Sequence, residues 1–278
     1  MDGHSKEKMI KTYWIVGHPL SFCLTTPVMN GAFEEEGVEA HFETHDVSPE
    51  AFDGVMQKLR SGELDGIIAT MPYKTPSLNY LDETSEDCKA VNAVNVLLNR
   101  DGKIHGYNTD WMGAVGAIKT ALPAVKDLSV LILGAGGAAR AAAYGLQKEG
   151  ARVAIWNRTP ERAKAFAQKL NVEWVEHLDG WNGQPDIIVN ATATSSLDRQ
   201  STLIPFRFWK NVKLALDAVY GKTSLFLEEA KAMNVPHVLS GEIWFLNQVF
   251  PMHKLITGQD GPQELMTRLT HEAKEIAR

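Results

Sequence analysis

Residues 134–140 read Gly-Ala-Gly-Gly-Ala-Ala-Arg, directly after the apolar run Leu128 to Leu133 and directly before an alanine-rich stretch reaching Lys148. The apolar run reads as a strand buried on both faces, so the glycines fall at a strand–turn–helix junction. Such a junction can hold a pyrophosphate. Gly134 permits the tight turn, Gly136 lets phosphate approach the backbone, and small Ala139 allows close packing of helix on strand. Ala135, Gly137 and Ala138 complete a loop whose free N–H groups and helix dipole favour an anion. The next strand, Arg152 to Trp156, runs into Asn157-Arg158-Thr159-Pro160-Glu161-Arg162. A site selective for NAD places a carboxylate there to accept from the ribose 2′-hydroxyl. Two arginines one helical turn apart suit a 2′-phosphate instead. Thr159 and Pro160 also serve as cap and first helical residue, which explains them but not Arg158 and Arg162. NADP(H) is therefore expected over NAD(H).

Strands alternating with helices must position these groups. Tyr13 to Val16 reads as a strand ended by Gly17 and Pro19, and Ala40 to Asp46 and Gly66 to Thr70 fit two more. Between the first two, Thr26 supplies an N-cap and Pro27 a first helical residue. That helix turns Val28, Ala32 and Phe33 inward and stops at Gly37, with Glu34-Glu35-Glu36 as its solvated end. Ser48-Pro49-Glu50 announces a second helix bearing Phe52, Val55, Met56 and Leu59 at helical spacing. This alternation predicts βαβ units and a largely parallel sheet.

The chain has 278 residues, enough for roughly two domains at about 150 residues each. Apolar residues at 44% and charged residues at 22% are ordinary for a folded soluble chain. The net charge of −6 argues against a nucleic-acid binder, whose footprint would be basic. No run reaches the length of a membrane helix, and the first residues lack the apolar core of a signal peptide. Two cysteines, Cys23 and Cys88, are too few for a disulfide scaffold, so a reducing cytoplasm is expected. His41 and His45 lack a partner ligand in a segment that reads as extended, and no metal is expected.

Further motifs occur in order along the chain: Ile68-Ala69-Thr70-Met71-Pro72-Tyr73-Lys74, Ala93-Val94-Asn95, Gly106-Tyr107-Asn108-Thr109-Asp110, Asn157-Arg158-Thr159, Asp217-Ala218-Val219-Tyr220, and Gly241 with Gln248. They resemble N-V-T-x-P-F/H-K, G-A-x-N-T, G-x-N-T-D, N-R-T, D-x-x-Y and G-x-x-M-L-x-x-Q of the shikimate dehydrogenase family, over nearly the whole chain. The resemblance implies an α/β protein of two domains with a cleft between them. An N-terminal substrate domain (1–109 plus 242–278) would accompany a Rossmann-type NADP-binding domain (110–241). It implies reversible hydride transfer between NADP(H) and shikimate/3-dehydroshikimate, a step of aromatic amino acid biosynthesis on the shikimate pathway. Lys74 and Asp110 would be the catalytic pair. Thr70, Asn95, Asn108, Tyr220 and Gln248 would line the substrate site, and Gly241 would join the cofactor site. Asn190-Ala191-Thr192 would end a strand near the nicotinamide. The chemistry agrees with the pair, because hydride addition to a carbonyl builds charge on oxygen that an ammonium can stabilise and protonate. Each residue also has a plainer reading: Asn108 as a turn residue, Tyr220 as a half-buried core aromatic, Lys74 and Asp110 as solvated charges.

One segment departs from the family. Its G-x-P-x-x-H-S-x-S-P, whose serines bind the substrate carboxylate, stands here as Gly17-His18-Pro19-Leu20-Ser21-Phe22-Cys23-Leu24-Thr25-Thr26. Phe22 replaces His, Cys23 and Thr25 replace the serines, and Thr26 replaces Pro. Asn92, Val96 and Trp244 depart at family Gly, Thr and Met positions. A thiol is a weak donor where the Thr25 hydroxyl is a good one. The partner remains a small-molecule carboxylate, with quinate or another cyclic hydroxy acid as the alternative substrate and a non-catalytic NADP(H)-sensing protein as the alternative class. A monomer or homodimer is expected.

Overall fold

The computed structural model describes residues 10–21, 23–192, 204–220 and 224–276. The chain divides into two compact units: residues 1–85, 94–107 and 253–278 form the first, and residues 86–93 with 108–252 form the second.

Chain order begins with β1 (Lys11–Gly17), α1 (Thr25–Glu36), β2 (Ala40–Asp46), α2 (Phe52–Ser61), β3 (Gly66–Ala69) and β4 (Glu83–Thr84). Helix α3 (Glu86–Val91) follows and counts with the second unit, and β5 (Val96–Arg100) and β6 (Lys103–Tyr107) return to the first. The first sheet has the order β2-β1-β3-β5-β6-β4. Its β1 pairs parallel with β2 and β3, as alternation predicts, but β5 is antiparallel to β3 and β6. The β5–β6 pair follows from the tight turn Asp101-Gly102, with φ 55° and 81°, which joins the two strands as a hairpin. Asp-Gly supplies the left-handed backbone that a two-residue hairpin needs.

Helix α1 buries Val28, Ala32 and Phe33 and ends at Gly37 in the left-handed region, as its sequence predicts. Its start differs. The helix begins at Thr25, and the Thr26 hydroxyl bonds the Thr44 hydroxyl of β2 at 2.6 Å instead of capping. Glu36, at the helix's solvated end, is hydrogen-bonded through Oε2 to Nε2 of the buried His253 at 2.6 Å. Helix α2 buries Phe52, Val55, Met56 and Leu59.

The second unit contains α4 (Asp110–Lys119), β7 (Ser129–Leu133), α5 (Gly137–Lys148), β8 (Arg152–Trp156), α6 (Pro160–Leu170), β9 (Glu173–Val175) and β10 (Ile187–Asn190). It continues with β11 (Leu214–Asp217), α7 (Leu225–Ala232), β12 (His237–Leu239) and α8 (Gly241–Thr257), whose residues from His253 count with the first unit together with α9 (Gln263–Ile276). All its strand pairs are parallel, in the order β12-β11-β10-β7-β8-β9. Read from the other edge, that is the doubly wound dinucleotide-binding order, which reverses direction between β7 and β10. Val130 to Leu133, β10 and β11 are buried throughout, because helices cover both faces. Among the described residues no helix is long and apolar enough to cross a membrane.

Candidate active site

The glycine turn lies at the C-terminal end of β7, beside that reversal point, where open α/β sheets bind ligands. Gly134 has φ +119°, and a Cβ there would lie 2.8 Å from the Ala191 carbonyl oxygen, so only glycine passes between the ends of β7 and β10. Its N–H donates to the Trp156 carbonyl at 2.7 Å. Gly136 precedes α5 in extended backbone, and a Cβ built on it would meet nothing within 4 Å. Open space over the first N–H groups of a helix, walled by Ala135, Gly137 and Ala138, is a cradle for a phosphate. Ala139 is buried beneath it. Asn157 and Thr159 shape the next turn, the Asn157 amide donating to the Thr159 carbonyl at 2.9 Å. Arg158 and Arg162 project there exposed to solvent. Arg140 sits over the Phe166 ring at 6.0 Å, and burial pulls its guanidinium below its ordinary pKa. The donor set therefore fits a dinucleotide carrying a further phosphate on its ribose.

At the ends of β10 and β11, Asn190 and Asp217 are register partners and fully buried. Asp217 accepts from the Asn190 amide at 3.2 Å, from the Val219 N–H at 3.0 Å, and from the Ser224 hydroxyl. Burial pushes its carboxyl above the ordinary range against the pull of those bonds, and Glu242 adds to the rise. Sequence reasoning assigned no role to this carboxylate, which organises the turn carrying Tyr220. That ring lies tilted against Phe245 at 5.9 Å. Gly241 starts α8, and a Cβ there would strike the Val219 carbonyl at 2.6 Å.

Asn108 and Asp110 are both 2% exposed at the start of α4. The Asn108 side chain works on the backbone: its Nδ2 donates to the Ala93 carbonyl at 3.0 Å and its Oδ1 accepts the Asp110 N–H at 3.1 Å. Across from Asp110, α8 presents Trp244 and Gln248 to Gly113.

The first unit carries the remaining candidates. Thr70 follows β3, and its N–H donates to the Val16 carbonyl at 2.9 Å. A Cβ on Gly17 would fall 2.5 Å from the Thr70 methyl and 3.0 Å from the Met71 carbonyl, so β1 must end in glycine for this turn to close. Tyr73 anchors the turn by stacking on Phe52 at 4.1 Å and donating its hydroxyl to the Val47 carbonyl. The next residue is Lys74, half-buried, whose carbonyl accepts the Val94 N–H at 2.8 Å. Asn95 is buried and bridges the sheet, its N–H on Tyr107 and its carbonyl on Ala69. Cys23 and Thr25 are 9% and 3% exposed, with the thiol donating to the Thr25 hydroxyl oxygen at 3.4 Å. Phe22 lies outside the described residues. His41 and His45 each direct Nε2 at one oxygen of Glu43, at 3.0 and 2.9 Å, and hold its carboxyl below the ordinary range.

Comparison with known proteins extends these observations. Residues 15–97 match the family model described as shikimate dehydrogenase substrate binding domain, and residues 117–201 match that described as shikimate / quinate 5-dehydrogenase. A shikimate dehydrogenase (NADP(+)) of Pyrococcus abyssi is 35% identical over 269 residues, covering 95% of this chain and 98% of its own. One from Aquifex aeolicus is 31% identical over 262 residues, covering 94% and 97%. The crystal structure of a Thermus thermophilus shikimate 5-dehydrogenase in complex with NADP(H) and shikimate superposes with a TM-score of 0.83 at 30% identity, covering 95% of this chain and 99% of that one.

Proposed function

Since the chain belongs to the shikimate dehydrogenase family, we propose that it is an NADP-dependent oxidoreductase that interconverts shikimate and 3-dehydroshikimate. The observation that carries this is the glycine turn: a parallel strand delivers Gly134 and Gly136 to the reversal point of a doubly wound sheet, with open space where a phosphate would sit. NADP(H), when bound, supplies or takes up the hydride. The chain's own side chains do the rest. Lys74 stabilises and protonates the substrate oxygen, Asp110 is the carboxylate of the catalytic pair, and Thr70, Asn95, Tyr220 and Gln248 are substrate residues. Asn108 contributes chiefly by shaping the turn before Asp110. Residues 1–109 with 242–278 serve the substrate and residues 110–241 the dinucleotide, with Gly241 at its margin. Cytoplasmic residence is part of the same reading, since Cys23 and Cys88 are both buried and stand as thiols.

Steady-state turnover of shikimate with NADP tests the proposal directly; no turnover at millimolar shikimate would end it. Arg158→Ala tests the nucleotide preference. Loss of charge-assisted bonds to the 2′-phosphate should raise the NADP KM by about 10–100-fold, the equivalent of about 1.5–3 kcal/mol. The NAD KM should change little, and equal losses would mean that Arg158 does not read that phosphate.

A second substrate, quinate or another hydroxylated ring acid, is favoured by the Cys23–Thr25 pair. The thiol spends its one weak proton on the Thr25 oxygen, where the family uses a serine toward the substrate carboxylate. Cys23→Ser should therefore lower the shikimate KM by about tenfold, the lower end of the range for a hydrogen bond to a charged group. An unchanged KM for shikimate, with kcat/KM higher for quinate throughout, would give the second substrate precedence.

A further inference from the structure

Trp244 occupies a position where the family motif has Met, and it is buried with its indole N–H donating to the Asp110 carbonyl oxygen at 3.0 Å. Asp110 is the first residue of α4, so its N–H has no helical carbonyl to reach. The Asn108 side chain takes that N–H at 3.1 Å. Both peptide groups flanking the Asp110 Cα are therefore held by side chains, one from the preceding turn and one from α8.

The two helices are seated closely at this point. A Cβ on Gly113 would meet Trp244 Cδ1 and Gln248 Cβ at 2.7 Å, and the Trp244 carbonyl at 2.8 Å. One turn on, a Cβ on Gly116 would meet Asn247 Oδ1 at 2.5 Å. Glycine on α4 thus brings its backbone against the stretch of α8 that carries Gln248. The indole bond ties α8 to the first turn of α4 in that seat. Methionine has no donor and leaves the carbonyl to its helical bond alone.

We propose that Trp244 is a positioning residue for Asp110: its indole N–H fixes the first turn of α4, and with it the direction of the carboxylate relative to the Gln248 amide on α8. This rests on the reading of Asp110 as the catalytic carboxylate. A side chain displaced by a fraction of an ångström loses rate without losing cofactor.

The test is a double-mutant cycle on the full chain: Trp244→Phe and Asp110→Asn, singly and together, measured by shikimate-dependent NADP reduction, with NADP binding followed by fluorescence. Trp244→Phe should lower kcat by about tenfold and leave the NADP dissociation constant within about twofold. In the Asp110→Asn background, adding Trp244→Phe should change the residual kcat by less than about twofold, because the positioned group is already gone. Tenfold loss in both backgrounds would mean that the indole acts independently of Asp110 and would overturn the proposal, as would an unchanged kcat in Trp244→Phe. Wild-type kcat in Asp110→Asn alone would instead remove the reading of Asp110 and the proposal with it. Trp244→Met, which restores the family side chain, repeats the cycle if the phenylalanine variant melts below assay temperature, with the same expected tenfold loss.

Discussion

Lys74→Ala should lower kcat by about 10²–10⁴-fold, the range for losing a positioned proton-transfer group, and leave the NADP dissociation constant unchanged. Reduction of a ring ketone places negative charge on its oxygen, and no solvent proton is as well placed as an ammonium held beside it. When the lysine side chain is cut, other anchors stay in place in the surrounding turn. Its shape comes from Tyr73, stacked on Phe52 and bonded to the Val47 carbonyl, and from the Lys74 carbonyl accepting the Val94 N–H. Alanine retains that carbonyl, so the loss reports the ammonium and not a collapsed loop. Lys74→Arg separates charge from proton transfer. A guanidinium restores positive charge but does not release a proton near neutral pH, so arginine should stay well below the wild type. Pre-steady-state turnover and fluorescence titration of NADP would measure both quantities. Full activity in Lys74→Ala would assign the proton to another group.

Local chemistry made much of the fold legible in the sequence. Leu128 to Leu133 has the pattern of a two-face-buried strand, and β7 spans Ser129–Leu133 of it, feeding the glycine turn and α5. Both β2 and β8 span the residues expected, β8 from its apolar run and β2 from its place between two helical segments. The hairpin of β5 and β6 was also written locally, in Asp101-Gly102, but parallel alternation elsewhere masked it. The start of α1 was not legible. Thr26 is a good cap by type, and only the arrival of Thr44 from β2 gives its hydroxyl another partner. The same limit applies to the candidate site. Motifs name Asp110 and Asn108, but Trp244 reaches Asp110 across 134 positions of sequence, and Asp217 gathers Asn190 and Ser224 from separate segments. Side chains that meet across separate segments leave no spacing to read.

Gly136→Ala should abolish tight NADP(H) binding without destabilising the protein. Its φ of −77° and ψ of −177° are open to any residue, and a Cβ there meets no protein atom within 4 Å. A methyl group in that space costs the folded chain nothing by collision, and it restricts the unfolded chain, so stability should hold or rise by up to about 1 kcal/mol. The cost falls on the ligand. A phosphate seated on the N–H groups of α5 must come within van der Waals reach of this position, and a methyl that forces it outward should weaken binding by about 10–100-fold, the equivalent of about 1–3 kcal/mol of overpacking. Gly134→Ala is the opposite case. With φ at +119° and the Ala191 carbonyl 2.8 Å from the new Cβ, it should lower the melting temperature of the free protein outright. Thermal melts with and without saturating NADP distinguish the two. Wild-type protein should gain stability on adding NADP by mass action, and Gly136→Ala should start from the same melting temperature and lose most of that gain. A full NADP-dependent shift in Gly136→Ala would move the phosphate seat away from the N-terminus of α5, since a phosphate seated there must meet the added methyl group.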